Sequence, residues 1–513
     1  MAITSEQTLR YNAKDCFITY ECAEEYMNEL DISSFKDMPN FRETYDHTIE
    51  LFGPCMYMMS RGIKVNRETL SLESKRVGEE MDKLAIEIDA ICGRHLNPNS
   101  PKDMQTYFYI EKSIPPYMKK NSNGDSVPTC DDKALQRIAR GTASRKGLRE
   151  ATLIQRWKKL SKLKGTYLDM TFDSDDRLRC NYAPRGTKFA RLASSKTIFN
   201  TGMNMQNLDP AFLRFLEADE GCILIDIDKA QAEWVVVAYA SGDISMINCI
   251  ESGSDPHAYT AHNMFNVPEE IIQKENKLVG HHNDPGLIKR IREDMPEMQP
   301  YLDSWLPRTM SIRQCGKKSN HGLNYDESFR GFGLINEITD KEAKTIVDFY
   351  HSTYPGIRQY YETTKTNLLE HGRILLNLFG RPYRFLGAID HNLLRAAYSY
   401  IPQSTVGELV NRAMCDIYYD DTPSMEGFEL VRCVHDNITL QVPLDAINLG
   451  DGIVKAADYM NPTLKAGARE FEIGSDMKIG FNLSDMVEVP LVSDGDQQAK
   501  LIREAADGLQ RGG

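Results

Sequence analysis

No hydrophobic run in this chain approaches the length of a membrane span, and no C-x-x-C pair, internal repeat or low-complexity tract is present. No membrane-crossing helix is therefore expected. The eleven cysteines are odd in number and scattered. That argues against a disulfide framework or a zinc site and for a reducing cytoplasm. The N-terminal MAITSEQTLR is polar, so no secretory leader is expected. Positive charge is short overall, with 61 Lys and Arg against 74 Asp and Glu and a formal net charge of −13. The sum speaks against a nucleic-acid partner, but the distribution matters more. From Lys133 to Lys164, eleven Lys or Arg stand against one acid, Glu150. Each phosphate that such a cation neutralises releases counterions, with a salt slope of roughly −0.9 per contact on duplex. The competing reading is a solvated basic helix face.

A chain of 513 residues, 41% hydrophobic and 26% charged, is too long for one simple core and reads as a globular enzyme of several subdomains. Residues 1–30 carry Tyr11, Asp15, Ile18, Cys22 and Tyr26 at helical spacing. Residues 40–170 read as long amphipathic helices, broken at Gly62, at the Asn97–Pro101 turn and at an exposed Lys119–Asp132 loop. From about 171 short strand-like segments appear, followed by helices from about 230 to 375. Hairpins are expected at 372–386 and 428–443. Residues 280–300 read as an insertion or mobile loop, and the last twenty or so as a frayed tail.

Three polar constellations interrupt this background. In GCILIDIDKAQAEW, Ile223, Ile225 and Ile227 alternate with Leu224, Asp226 and Asp228. As a strand this buries the isoleucines and places both aspartates on the other face. Asp228 ends the strand, and Glu233 falls in the first turns of the following helix. A strand-end Asp is a good ligand for a hard cation such as Mg2+, or equally a helix N-cap. In FELVRCVHDNITLQVP, two apolar strands flank His435-Asp436-Asn437, and a tight turn would present Asp436. Plain turn chemistry is the alternative. Arg313, Lys317, His321 and Asn324 share one helix face, with Tyr325 beside it. There Arg supplies a fork and Lys a point charge for phosphate oxygens, His321 is placed to pack against a base or sugar, and Gly322 leaves room for close approach. An exposed cationic helix is the alternative. Two converging carboxylates that hold metal ions, with cations for a polyphosphate, amount to phosphoryl transfer.

With these motifs the chain resembles the family A DNA polymerases, the bacterial polymerase I type and particularly its bacteriophage branch. Asp228-x-x-Gln231-x-Glu233 resembles motif A, Arg313 to Tyr325 motif B, and His435-Asp436 motif C. RLASSKTIFNTGMNMQNLDP, SDPHAYTA, LFGRPYRFL, YIPQSTVGELV and LNPNSPKDM resemble further family segments in the family's order. The resemblance implies an α+β right hand with a helical thumb, an antiparallel-sheet palm and helical fingers. Along the chain these would be a remnant helix of a 3′–5′ exonuclease domain (1–30), the thumb (31–170), a first palm segment (171–245), the fingers (246–371), a second palm segment (372–488) and a flexible tail (489–513).

It also implies roles. Asp228 and Asp436 would hold two Mg2+ ions, replaceable by Mn2+, with the backbone carbonyl of Ile227 or Lys229 assisting. Gln231, His257, Arg313 and Lys317 would hold the triphosphate of a dNTP, next to His321. Glu233 would be the steric gate against a ribose 2′-OH, and Tyr325 would stack at the template position. Arg191, Asn204, Gln206, Asn207, Arg395, Gln403 and His435 would contact template-primer DNA, and Lys102, Lys162 and Lys164 its phosphates. The implied unit is a monomeric polymerase, without a membrane partner, acting in viral or bacterial replication or repair.

Four departures stand out. Asn437 replaces the Glu that usually follows motif C, His321 replaces an aromatic Phe or Tyr, Ser399 replaces an Asn, and Asp226 adds an acid that reads as a bystander. YNAKDCFITYE (11–21) resembles the helix that ends the exonuclease domain, and Asp15 alone is too few carboxylates for such a site. No proofreading by this chain alone is expected. Tyr11 and Asp15 either complete a nuclease site on a separate polypeptide or belong to a leftover structural helix. Single-subunit RNA polymerases share the palm logic, but Glu233 as a gate argues against them. A silent template-primer clamp is favoured only by Asn437.

Overall fold

The computed structural model describes residues 5–512 except 33–40, 122–123, 143–144, 281, 283 and 337. Its centre is a five-stranded antiparallel sheet built from β1 (Cys222–Lys229), β2 (Glu429–Val434), β3 (Asn437–Pro443), β4 (Ser475–Gly480) and β5 (Val487–Glu488), in the order β2-β3-β1-β4-β5. The helices that matter for the site, in chain order, are α1 (Ser5–Ile32), α2 (Arg67–Cys92), α3 (Arg149–Leu163), α4 (Ala232–Ser241), α5 (Pro256–Phe265), α6 (Glu269–Val279), α7 (Pro285–Glu293), α8 (Ile312–Leu323), α9 (His391–Tyr419), α10 (Leu449–Met460) and α11 (Gly495–Gly512).

The alternation in β1 buries Ile223, Ile225 and Ile227 completely, as expected. Leu224 is also fully buried, so the strand is covered on both faces where it begins. Only at its far end, at Asp226 and Asp228, does the second face open. α4 and α9 pack together beside the sheet. α9 runs through Pro402, whose missing N–H frees the carbonyl of Tyr398. The Tyr360 hydroxyl donates to that carbonyl at 2.8 Å.

Residues 67–163 have a second core of their own, centred on Ile88, Met104, Tyr107, Phe108, Leu135 and Ile154. Asn66 caps α2 by accepting from the Thr69 N–H, and Gly93, at φ 73°, ends it. The Asn97–Pro101 turn is present, with Ser100 capping the short helix that follows. The expected 119–132 loop contains an exposed hairpin, Met118–Lys120 with Ser126–Pro128. α1 forms where helical spacing predicts it, with Tyr11 and Tyr26 both exposed. The expected boundary after it adjoins residues 33–40, outside the described residues.

Two expectations are corrected. The flexible tail is the packed helix α11, which lies on α10 and buries Gln498, Ile502 and Ala506 completely. Its buried face is spread among Gln, Asp, Glu, Arg and Gly, so it reads as polar until the face is assembled. Of the two readings of the 280–300 segment, a mobile loop does not hold for residues 285–300. The segment contains α7 and a 3-10 turn, Pro296–Tyr301, and buries Ile288, Met295 and Met298.

Candidate active site

The turn between β2 and β3 has two residues, His435 and Asp436, closed by the pair Val434–Asn437. His435 takes φ 58°, the left-handed conformation such tight hairpins favour. β3 lies next to β1 with Asp228 opposite Asn437, and the Lys229 N–H donates to the Asp436 carbonyl at 3.2 Å. The two aspartates therefore meet at one end of the sheet. From the other side β4 sets Asp476 opposite Asp228 and Lys478 opposite Asp226. Spacing around the motifs does not reveal these two; the alternation in SDMKIG is the signal that could have.

The carboxyl group of Asp228 is pushed up to about 7, first by desolvation and then by the charges of Asp436, Asp226 and Asp476, with Lys478 partly offsetting them. No ion pair among the described residues neutralises Asp228 or Asp436. Crowded carboxylates, two of them without an ion-pair partner, suit a hard divalent ion. Among the described residues no group of three or more His, Cys, Asp or Glu is arranged to hold a metal ion by itself, so an ion here would need water or substrate oxygens as further ligands.

Asp226 is held within the sheet. Its carboxylate accepts from Asn437 Nδ2 at 2.7 Å and from the Thr439 hydroxyl, with Arg432 Nη2 at 3.7 Å. The side chain of Asn437 is thus engaged within the sheet. Lys229 points away from Asp228: its Nζ donates to the carbonyls of Met460 (2.6 Å) and Ile473, to Asn461 Oδ1 (2.7 Å) and to Ser475 (3.2 Å). Burial lowers it to about 7. Its side chain pegs β1 to the segment after α10.

Glu233, in the first turn of α4, joins the parts. It pairs with Arg191 and accepts from the Tyr325 hydroxyl at 2.6 Å. Arg395 Nε in turn donates to the Tyr325 carbonyl at 3.2 Å. Gln231, just before α4, sits at φ 52°. On α8, burial lowers the His321 pKa, Glu233 and Asp436 push it back up, and Lys317 lowers it further. The helix face carrying Lys317 and His321 therefore lies toward the carboxylates.

α8 lies directly against α5, because a Cβ on Gly316 would stand 2.2 Å from the His257 carbonyl. Between Arg313 and Lys317 the sequence alone does not mark that glycine. The room left by Gly322 is taken by the Glu327 side chain. Asp255 caps α5 and accepts from Arg313 Nε and Gln273 Nε2, each at 2.6 Å. Burial alone would raise its pKa, but these bonds outweigh it and lower it. His257 is buried and accepts from Asn320 Nδ2 at 3.1 Å. Burial lowers it to about 3, so at neutral pH it offers an Nε2–H but no charge.

The remaining predicted residues divide. Asn204 and Gln206 shape their own loop: Asn204 accepts from the Gln206 N–H at 2.9 Å and from Ser194 at 2.6 Å, while Gln206 donates to the Leu192 carbonyl at 3.1 Å. Asn207, His435, Lys102 and Lys162 are exposed, and Gln403 is half-buried. Lys164 is held inside its own region by Asp169 (3.0 Å) and Ser74 (2.7 Å).

An antiparallel sheet that ends in unpaired carboxylates, faced by a helix bearing cations, defines the palm-and-fingers class of protein. The sequence model of DNA polymerase family A matches residues 67–280 and 307–482, and the chain belongs to that family. It is 26% identical over 413 residues to the thermostable DNA polymerase I of Thermus aquaticus, covering 75% of this chain and 42% of that one. With DNA polymerase I of Pseudomonas aeruginosa the identity is 24% over 469 residues, covering 87% and 44%. The chain thus spans less than half the length of these curated relatives. Among solved structures, the POL domain of Pol1 from M. smegmatis, complexed with DNA primer-template and dNTP, shares the fold with a TM-score of 0.68 at 19% identity, covering 85% of this chain and 70% of that one.

Proposed function

We propose that the chain is a template-directed DNA-dependent DNA polymerase that adds dNMP to a primer 3′-OH and releases pyrophosphate. The observation that carries this reading is the meeting of Asp228 and Asp436 on adjacent strands, uncompensated by any ion pair among the described residues and faced by the cationic side of α8. Two Mg2+ ions, with Mn2+ as a substitute, suit this donor set, and when bound they would activate the attacking oxygen and neutralise charge on the leaving one. Asp228 and Asp436 hold the ions, with the Lys229 carbonyl assisting. Arg313 and Lys317 grip the triphosphate, Arg313 by exchanging Asp255 for phosphate oxygens. Gln231 and neutral His257 add hydrogen bonds, and His321 packs beside the nucleotide.

Glu233 gates the sugar, and its bonds to Arg191 and Tyr325 fix the gate's position. Primer and template run past Asn204, Gln206, Asn207, Arg395, Gln403 and His435, with Lys102 and Lys162 on phosphates. In this reading residues 31–170 are the thumb, 171–245 and 372–488 the palm and 246–371 the fingers. It places the protein in the cytoplasm of a bacterium, or of the host of a bacteriophage. The deciding experiment is Mg2+-dependent extension of a primed template by wild type and Asp436→Ala, with dNTPs and with rNTPs. The reading expects dNTP incorporation by wild type alone; preferential use of rNTPs would sink it.

A further inference from the structure

The family match passes over residues 281–306, yet α7 within that stretch reaches the start of the cationic helix. Arg292 on α7 is 5% exposed, and Glu275 on α6 is fully buried. Arg292 Nε and Nη2 donate to Glu275 Oε1 at 2.9 and 2.7 Å. Nη1 donates to the Pro307 carbonyl at 2.6 Å, and Nη2 also to the Met310 carbonyl at 3.0 Å. The second oxygen of Glu275 accepts the N–H of Ile312, the first residue of α8, at 3.0 Å. Ser311, the N-cap of α8, donates to Asn276 Oδ1 at 2.7 Å. One buried guanidinium–carboxylate pair therefore fixes the backbone at residues 307, 310 and 312, immediately before Arg313.

We propose that the inserted helix braces the N-terminus of α8, with Arg292 as a positioning residue for the triphosphate grip of Arg313 and Lys317. The inference rests on the polymerase reading above. A buried ion pair gives little stability compared with apolar packing, but it tolerates no loss of one partner and selects one geometry. Here three separate guanidinium nitrogens spread the donors over one carboxylate and two carbonyls; a lysine gathers its donors on a single Nζ and does not reproduce that spread. The brace acts on nucleotide and not on duplex, because the backbone it holds leads into α8 rather than into the loop of residues 204–207.

The test is steady-state primer extension by Arg292→Lys, with primer-template affinity and thermal unfolding measured alongside. The expected result is a KM for dNTP raised roughly tenfold, the worth of about one charge-assisted hydrogen bond. Changes in kcat would stay within about threefold, the pattern of lost ground-state positioning, and the primer-template Kd would not move. An inactive wild type would defeat the polymerase reading itself. An active wild type with an unchanged KM in Arg292→Lys would overturn the brace alone. Should Arg292→Lys unfold early, the double variant Glu275→Gln/Arg292→Met removes both buried charges and decides: the same rise in KM supports the brace, and a wild-type KM overturns it.

Discussion

At the end of β1 no ion pair among the described residues answers Asp228 or Asp436, whereas Arg149 and Arg156, two of the five cations of α3, are answered by acids of α2. Arg156 pairs with Glu80 at 2.5 Å, Arg149 with Glu87, and Lys164 just beyond α3 with Asp169 at 3.0 Å. Charge that the fold leaves unanswered costs folding free energy and remains available for a ligand; charge answered within the fold is already committed. The acidic end is therefore the stronger functional signal, although the basic stretch is the more visible one in the sequence.

The sharpest way to break this comparison is to neutralise one carboxylate. Asp228→Asn or Asp436→Asn should lower extension on the order of 10³-fold, several kcal/mol of charge stabilisation at the reacting phosphate. The same substitutions relieve like-charge repulsion, so thermal stability should hold or rise. A folded Asp436→Asn with wild-type turnover would end the assignment.

The exposed lysines Lys102 and Lys162 predict a smaller effect. Lys102→Ala and Lys162→Ala remove exposed cations and should each flatten the dependence of log K on log salt by roughly 0.9. Arg149→Ala and Arg156→Ala should leave the slope alone and cost stability only within about 1 kcal/mol, as exposed pairs do. Equal slopes for all four variants in a salt titration of primer-template binding would erase the distinction between answered and free cations.

Local period explains what could be read ahead. The alternation in β1, the two-residue turn at His435-Asp436 and the four-residue steps of α8 each follow from repeat geometry, so Asp228, Asp436, Lys317 and His321 were legible. Partners that come from distant sequence were not. Glu80 sits 76 residues before Arg156, and Thr439 sits 213 after Asp226; no window reveals either pair. The packing of the tail is not legible for the same reason, because its buried face exists only once α10 is in place. Gly316 shows the same limit, since its need for space is set by the carbonyl of His257 on another helix.

The smallest predicted effect separates the two regions by acid stability. The single histidine between residues 67 and 163 is His95, which is exposed. Outside that stretch His47 and His351 are buried, and desolvation lowers each to about 4. Both ionise in the unfolded chain near the ordinary value of about 6.5. Between pH 6.5 and 4 the unfolded state therefore holds protons that the native state lacks, and stability falls as pH falls through that window. At pH 5.5 the loss is on the order of 1 kcal/mol for each histidine. His351 lies edge-on to the rings of Tyr350 and Tyr361, so His351→Phe keeps the packing and removes the titration. Its urea midpoint should match wild type at pH 7.5 and exceed it at pH 5.5. An acid limb that His351→Phe leaves unchanged would mean that this buried imidazole does not set it.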